Sequence, residues 1–241
     1  MREPVHFIPI ATTLIAVWFA VVIFKRYRDR RTGPHLLWWA GGVFVYGVGT
    51  FTEAAVTLFG WNEWIFRSWY ISGALLGGAP LAQGTVYLLL RRKTANLLTA
   101  LVVPLIATAS VCVVLTPIDM SAVETYRLTG SVMEWQWVRL FSPFINLYAV
   151  IFLIGGAFLS AWRYRKFPGT RHRFIGNVLI AIGAILPGIG GAATRLGHTE
   201  VLYVMEFVGL SLIWWGYWWN VNGGKEDSPA AAASEPTPET G

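Results

Sequence analysis

Long apolar stretches, separated by short polar or charged segments, are the main pattern in the sequence. Seven such stretches occur, at residues 6–24, 36–59, 69–90, 97–118, 140–162, 174–196 and 201–219. A helix of about 20 apolar residues crosses the roughly 30 Å hydrocarbon core of a membrane. The stretches are too long and too uniformly apolar for the alternating strands of a membrane barrel. The pattern therefore predicts an all-α, polytopic membrane protein with seven transmembrane helices.

Composition supports the same class of protein. Hydrophobic residues make up 55% of the chain and charged residues only 13%, whereas a soluble domain carries about 25% charged residues. Most of the 13 tryptophans lie near the ends of the apolar stretches, and such rings prefer the membrane–water interface. We therefore expect residues 1–221 to form one transmembrane bundle in contact with the lipid bilayer.

The distribution of basic residues predicts the orientation of this bundle. The segments that follow the first, third and fifth stretches hold 13 Lys and Arg residues and one acidic residue, Asp29. The alternate segments are mainly acidic. Because basic loops stay on the cytoplasmic side, the N-terminus is expected outside and the C-terminus in the cytosol, in the plasma membrane. The first stretch precedes its positive charges, which fits an uncleaved signal anchor.

Residues 222–241 differ from the rest of the chain. This segment holds no large apolar residue and is rich in Pro, Ala, Glu and Ser. It cannot bury enough apolar surface to offset chain entropy, so we predict a disordered cytosolic tail. No kinase or cyclase sequence follows the seventh stretch, so any output is expected to pass through a separate partner.

Several chemistries need residue patterns that this chain lacks. A retinal protein needs a Schiff-base lysine inside a span, but every lysine lies at a predicted span end or in the tail. The histidines also lie at span ends or in loops, and no pair has the HExxH spacing of a zinc site. We therefore expect no cofactor and no metal. The net charge of +6 is assigned to membrane topology rather than to nucleic-acid binding.

Pro187 lies in a glycine-rich part of the sixth stretch, next to Gly183, Gly188 and Gly190. Small residues allow helices to approach closely, and a proline removes a helix hydrogen bond. The segment predicts either a kinked, closely packed helix or a broken helix of the kind that transporters use.

Ionisable residues in the outer half of the predicted spans require an explanation. Glu53 lies on the second span and Glu206 on the seventh, each about 8–10 Å below the outer surface at 1.5 Å per residue. Arg67, Arg139 and Arg195 lie at or near the outer ends of spans three, five and six. A charge within a span usually faces the bundle interior and pairs there.

Polar neighbours accompany these charges. Thr50 is one turn from Glu53, Tyr203 is one turn from Glu206, and Asn146 lies on span five. Two interpretations are open: Glu–Arg pairs that hold helices together, or an outward-open pocket for a polar ligand or a proton. No catalytic residue is predicted. The predicted ligand-binding set is Glu53, Glu206, Arg67, Arg139, Arg195, Tyr203, Asn146 and Thr50.

By span count and orientation, the predicted architecture resembles the seven-span sensor modules that precede bacterial histidine kinases. The resemblance rests on architecture, and no residue roles are transferred. It implies a non-enzymatic membrane module that senses or binds a small polar ligand and signals through a separate partner. The alternatives are a small proton-coupled transporter that uses Glu53 and Glu206 and, third, an intramembrane enzyme.

Overall fold

The computed structural model describes residues 4–31 and 33–223, without the side chain of Arg195. This part of the chain is helical, with one isolated bridge between Ile118 and Met133 and no strand, which confirms the predicted all-α class. The predicted tail lies outside the described residues from position 224 onward. The α-helices are α1 (Ile8–Arg30), α2 (Pro34–Phe59), α3 (Glu63–Trp69), α4 (Ala79–Leu89), α5 (Arg92–Leu115), α6 (Phe141–Ala149), α7 (Gly155–Tyr164), α8 (Arg171–Arg195) and α9 (Thr199–Asn222).

Six helical segments of the described chain are long and apolar enough to cross a membrane. They coincide with all the predicted apolar stretches except the third. A π-helical turn at Val150–Ile154 joins α6 to α7 within one of them. This is the pattern of a multi-pass membrane protein. The segments are Pro4–Arg30, Pro34–Phe59, Arg92–Leu115, Gln136–Tyr164, Arg171–Thr194 and Thr199–Asn222.

The third apolar stretch is not one continuous helix. After α3 the chain forms a π-helical turn at Tyr70–Leu75, leaves helical geometry at residues 76–78, and becomes helical again in α4. Gly77 packs so closely that a Cβ there would lie 2.5 Å from the carbonyl oxygen of Gly73. Pro80 follows in the first turn of α4, where its missing N–H costs no helix bond. The sequence predicts a single helix here, and the structure corrects this to two helices joined by a break.

The helix break that the sequence allows at Pro187 is not present. Helix α8 runs through Pro187 without interruption. Its glycines instead permit close packing against α9, because a Cβ at Gly183 would lie 2.5 Å from the carbonyl oxygen of Gly209. Helix α9 therefore lies almost in backbone contact with α8, and it also contacts α1 through aromatic rings.

Residues 116–140 fold over one end of the bundle, which we call the loop end. Val132 of this segment and Phe66 of α3 are fully buried in the same apolar cluster. Asp119 begins a short 3₁₀ turn there, and the hydroxyl and backbone N–H of Ser121 donate to its carboxylate and lower its pKa. We call the opposite end the basic end, because most of the arginines and lysines lie in the connections between α1 and α2, α4 and α5, and α7 and α8 and in the adjoining helix ends.

Candidate functional site

Glu53 lies on the inner face of α2 with only 3% of its surface exposed. The Nε1–H of Trp69, at the end of α3, donates to its Oε1 at 3.0 Å. Its other carboxyl oxygen, Oε2, is shielded from solvent and receives no N–H or O–H from any described residue. Glu53 is therefore a buried acid with a single conventional hydrogen-bond donor.

Glu206 of α9 supplies the second acid of the site. The carboxyl groups of Glu53 and Glu206 lie close enough to interact with each other directly. Oε2 of Glu206 is likewise shielded and receives no donor from the described residues. Because an ionised carboxylate only accepts hydrogen bonds, the two carboxyl groups can bond to each other only when one of them carries a proton. We call these two residues the carboxyl pair.

Aromatic and titratable side chains surround the carboxyl pair. Tyr46 on α2 donates its hydroxyl to the backbone oxygen of Glu206 at 3.2 Å, which holds α2 against α9. Tyr203 of α9 is 3% exposed, and its ring meets His6 edge-on at a centroid distance of 6.1 Å. His6 in turn lies 3.8 Å from Glu200. These groups continue the site toward the loop end, and no basic residue other than His6 is among them.

Two of the three predicted arginines, Arg67 and Arg139, do not reach the carboxyl pair. Arg67 is buried, but it pairs with Glu63, its Nη2 lying 2.6 Å from Oε1 of that residue. Arg139 is exposed and donates to Oε1 of Gln136 at 2.7 Å. The side chain of Arg195 lies outside the described residues. Among the described side chains, no Lys or Arg nitrogen forms an ion pair with either acid of the pair.

The two remaining predicted residues make other contacts. Thr50 is buried one turn below Glu53, and its hydroxyl lies 2.9 Å from that of Thr13 on α1. Asn146 of α6 donates to the carbonyl oxygen of Ala74 at 3.2 Å, beside the helix break. The structure thus brings together Glu53, Glu206 and Tyr203, with Thr50 nearby, and separates Arg67, Arg139 and Asn146 from them.

Two residues of the site were missing from the predicted set. Trp69 and Tyr46 both donate hydrogen bonds at the site. Trp69 stands at the start of an apolar stretch, where a tryptophan is expected as an interface anchor, so its position alone does not indicate a bond to Glu53. Tyr46 does share a helical face with Glu53, seven residues apart, and that spacing was a usable signal.

A second polar network lies between the break and the basic end. Gln83 of α4 is 1% exposed, and its side chain donates to the hydroxyl of Thr99 on α5 at 2.7 Å. Tyr148 donates to the Gln83 carbonyl oxygen, and Tyr87 links Thr99 to Asn96. The sequence indicated Gln83 and Tyr87 as polar positions but not the three helices that they join.

Two cavities occur away from the carboxyl pair. One of about 520 Å³ lies between α1 and α9 at the basic end, and one of about 90 Å³ lies between α4 and α5 beside the break. Neither is lined by Glu53 or Glu206. Within residues 4–31 and 33–223, no three His, Cys, Asp or Glu side chains are grouped to hold a metal ion.

Comparison with protein-family models and with curated proteins finds no match for this chain.

Proposed function

We propose that the chain crosses the plasma membrane seven times, with the loop end outside and the basic end in the cytosol. The segment from α3 to α4 supplies the span that the continuous helices leave out. Trp61, just after α2, donates its backbone N–H to Thr125 of the loop end at 2.7 Å, while α5 begins at Arg92 and ends at that same loop end. Residues 63–89 therefore connect one end of the bundle to the other, and the basic connections favour a cytosolic position for the far end.

Our functional proposal is that the bundle binds a proton at the carboxyl pair and acts as a membrane sensor of it. The observation that carries this proposal is the direct interaction of the Glu53 and Glu206 carboxyl groups, with no ion pair to a Lys or Arg among the described side chains. If both acids were ionised in the apolar bundle, neither negative charge would have a positive partner, and this would cost several kcal/mol of stability. A shared proton removes one charge and supplies the missing hydrogen bond. The ligand of the sensor is then the proton itself.

The position of the pair suggests how the signal would move. Glu53 and Glu206 belong to α2 and α9, which Tyr46 also links. Loss of the shared proton would leave two negative groups in contact, and their repulsion would separate these helices at the loop end. Because α9 is one continuous helix to the basic end, a shift at Glu206 would reach the cytosolic side, where a separate partner would read it.

Glutamine substitution tests the shared proton directly. In Glu53→Gln or Glu206→Gln, the amide can donate to the opposite carboxylate, so no proton is needed. We expect wild-type protein to show the infrared absorption of a protonated carboxyl group, and each variant to lose it. Both variants should stay folded, within about 1 kcal/mol of wild type, because the amide preserves the hydrogen bond.

Glu200→Gln is the matched control, since Glu200 is a partly exposed acid at the start of the same helix. It should leave the protonated-carboxyl absorption unchanged. The Trp69 indole should report the titration as a pH-dependent fluorescence change that Trp69→Phe removes. If the wild-type protein lacks the absorption, or if both glutamine variants unfold, the acids hold helices together as ions and the sensor proposal is wrong.

The second candidate is a small proton-coupled transporter, and the break between α3 and α4 favours it. Broken helices in mid-membrane leave backbone groups free for a passing solute. Here the carbonyl oxygen of Ala74 is bonded by the side chains of Ser142 and Asn146. An alternating-access protein should expose the break from both sides. In a Cys112→Ala background, Leu76→Cys should then react with an impermeant thiol reagent from each side in turn, whereas labelling from one side or neither favours the sensor.

A further inference from the structure

A groove between the first and last helices at the basic end is not used by the proposed proton site. It has a volume of about 520 Å³, within the range of roughly 300–1,000 Å³ that is typical of small-molecule sites. Helices α1 and α9 meet here through the Trp18 and Trp214 rings, whose centroids are 5.2 Å apart, and through Phe19 and Tyr217 at 5.4 Å. The groove therefore lies on the seam that closes the helical bundle.

The groove has an apolar part and a cationic part. Trp18, Trp214 and Trp218 line it on the side toward the middle of the helices, and Trp18 and Trp218 are 51% and 40% exposed. Lys25, Arg26 and Arg30 line the end of α1, with Asp29 as the acid among the lining residues. The excess of positive charge lies where α1 leaves the predicted membrane core. An occupant that fits both parts has an anionic head and an apolar body.

Several polar groups of the groove lack an ion pair or a hydrogen bond to the described residues. Within the described residues, neither Lys25 nor Arg30 forms an ion pair. The guanidinium of Arg26 lies 5.9 Å from the centre of the Tyr217 ring. The Tyr217 hydroxyl is shielded from solvent and has no well-formed hydrogen bond to a described residue. A phosphate oxygen in the groove would accept from the cations.

We infer that this groove binds one anionic glycerophospholipid, with its phosphate between Lys25, Arg26 and Arg30 and its acyl chains against Trp18 and Trp214. Guanidinium groups and phosphates match in charge and geometry, and basic residues next to the bilayer attract anionic headgroups. The lipid would bridge α1 and α9 and so help to close the bundle. The inference does not depend on the proton site.

Native mass spectrometry of the full-length chain tests the site with two lipids of identical acyl chains, phosphatidylglycerol and phosphatidylcholine, at equal concentration. We expect a clear preference for phosphatidylglycerol. Arg26→Gln with Arg30→Gln should lower that preference by about tenfold, given the attraction of each basic residue for an anionic surface. Arg26→Lys with Arg30→Lys keeps the charge and should retain most of the preference for phosphatidylglycerol.

Arg91→Gln with Arg92→Gln is the matched control, because it removes the same charge at the same end but outside the groove. It should leave the preference unchanged. An equal loss in this control would mean that general surface charge attracts the lipid, and would overturn the site. Thermal unfolding in detergent checks that every variant is folded, and phosphatidylglycerol should raise the melting temperature of the wild type but not of the Arg26–Arg30 glutamine variant.

Two further experiments distinguish the lipid from other possible occupants of the groove. Glycerol phosphate has the headgroup phosphate but no acyl chains, so we expect that it does not displace the lipid. If it displaces the lipid at equal concentration, the groove is a site for soluble phosphates and the lipid proposal is wrong. The acidic segment 225–241 follows α9 directly. If the preference appears only after this segment is deleted, the groove belongs to that segment and the lipid proposal fails.

Discussion

Arg67 lies inside the loop end with 6% of its surface exposed. Its guanidinium donates to the backbone carbonyl oxygens of Val113 and, at 2.9 Å, of Thr116, which are at the C-terminal end of α5. These carbonyls have no partner within their own helix, as at any helix C-terminus. The salt bridge to Glu63 involves a carboxylate that is 47% exposed, so it contributes less than the bonds to the carbonyls. Arg67, in the last turn of α3, therefore ties that helix to the end of α5.

We predict that Arg67→Gln lowers the free energy of unfolding by about 2–4 kcal/mol, because it strands buried carbonyl oxygens and opens space in a packed cluster. Arg67→Lys should be intermediate, since an ammonium group cannot reproduce the two-pronged geometry of the guanidinium. Reversible unfolding in detergent measures both.

Arg139→Gln is the control for this prediction, because Arg139 is exposed and bonds to Gln136 on the surface. It should change the free energy of unfolding by less than about 0.5 kcal/mol. If Arg67→Gln were as stable as this control, the carbonyls at the end of α5 would have other donors and Arg67 would be available for a ligand.

The sequence predicted Glu53 and Glu206 as inward-facing because a charge on an apolar helix has few other options. It did not predict their partners, since helix positions give depth along the membrane but not the rotation of one helix against another. The sequence led us to expect that Arg67 could pair with one of these two acids. It pairs instead with Glu63, which stands four residues before it. Residues four apart on a helix are neighbours on one face, so the pair between Glu63 and Arg67 could have been predicted from the sequence.

Helices α8 and α9 pack through facing glycines rather than through large side chains. Gly183 meets the carbonyl oxygen of Gly209, and Gly216 of α9 packs as closely against Gly176. Backbone cannot move aside as a flexible side chain can, so the helix separation is fixed by the absence of Cβ atoms at these positions. The same packing sets where Glu206 stands relative to Glu53.

We predict that Gly183→Ala destabilises the protein by more than about 2 kcal/mol, because its Cβ would force α8 and α9 apart. It should also change the pH response of Trp69, since α9 carries Glu206. Gly188→Ala, on the same helix, is the matched control: a Cβ there meets nothing within 4 Å, and alanine favours a helix by up to about 1 kcal/mol over glycine. Equal melting temperatures for the two variants would show that the helices separate without cost.

The break between α3 and α4 was the main error at the level of elements. Gly77, Gly78 and Pro80 all lie inside the third apolar stretch, and hydropathy alone hides them, because a glycine does not interrupt an apolar average. Pro187 drew attention instead, although a proline within a membrane helix is often accommodated by its neighbours. Both sites combine a proline with adjacent glycines, which precede Pro80 but follow Pro187. The presence of these residues therefore did not by itself tell which helix would break.

At the scale of the whole molecule, apolar length predicted the class and most of the spans, because a helix must match the thickness of the bilayer. The cap at the loop end was less predictable. Val132 and Met133 are fully buried in a segment that lies between apolar stretches, and their burial depends on contacts with α3 and α5 that are distant in sequence. Orientation depends on the charges of the connecting segments, which act during membrane insertion. Helix packing is the same for either orientation, so it does not indicate which end is outside.

The orientation is testable with single cysteines in a Cys112→Ala background. Met120 and Phe167 are a matched pair, since their side chains are 65% and 64% exposed and lie at the loop end and the basic end. With the basic connections in the cytosol, an impermeant thiol reagent should label Met120→Cys in intact cells. Phe167→Cys should react only after the cells are opened. The opposite pattern would place the carboxyl pair near the cytosolic surface, so that it would respond to internal rather than external protons. Equal labelling of both would mean that the helical segment between them, Gln136–Tyr164, does not cross the membrane.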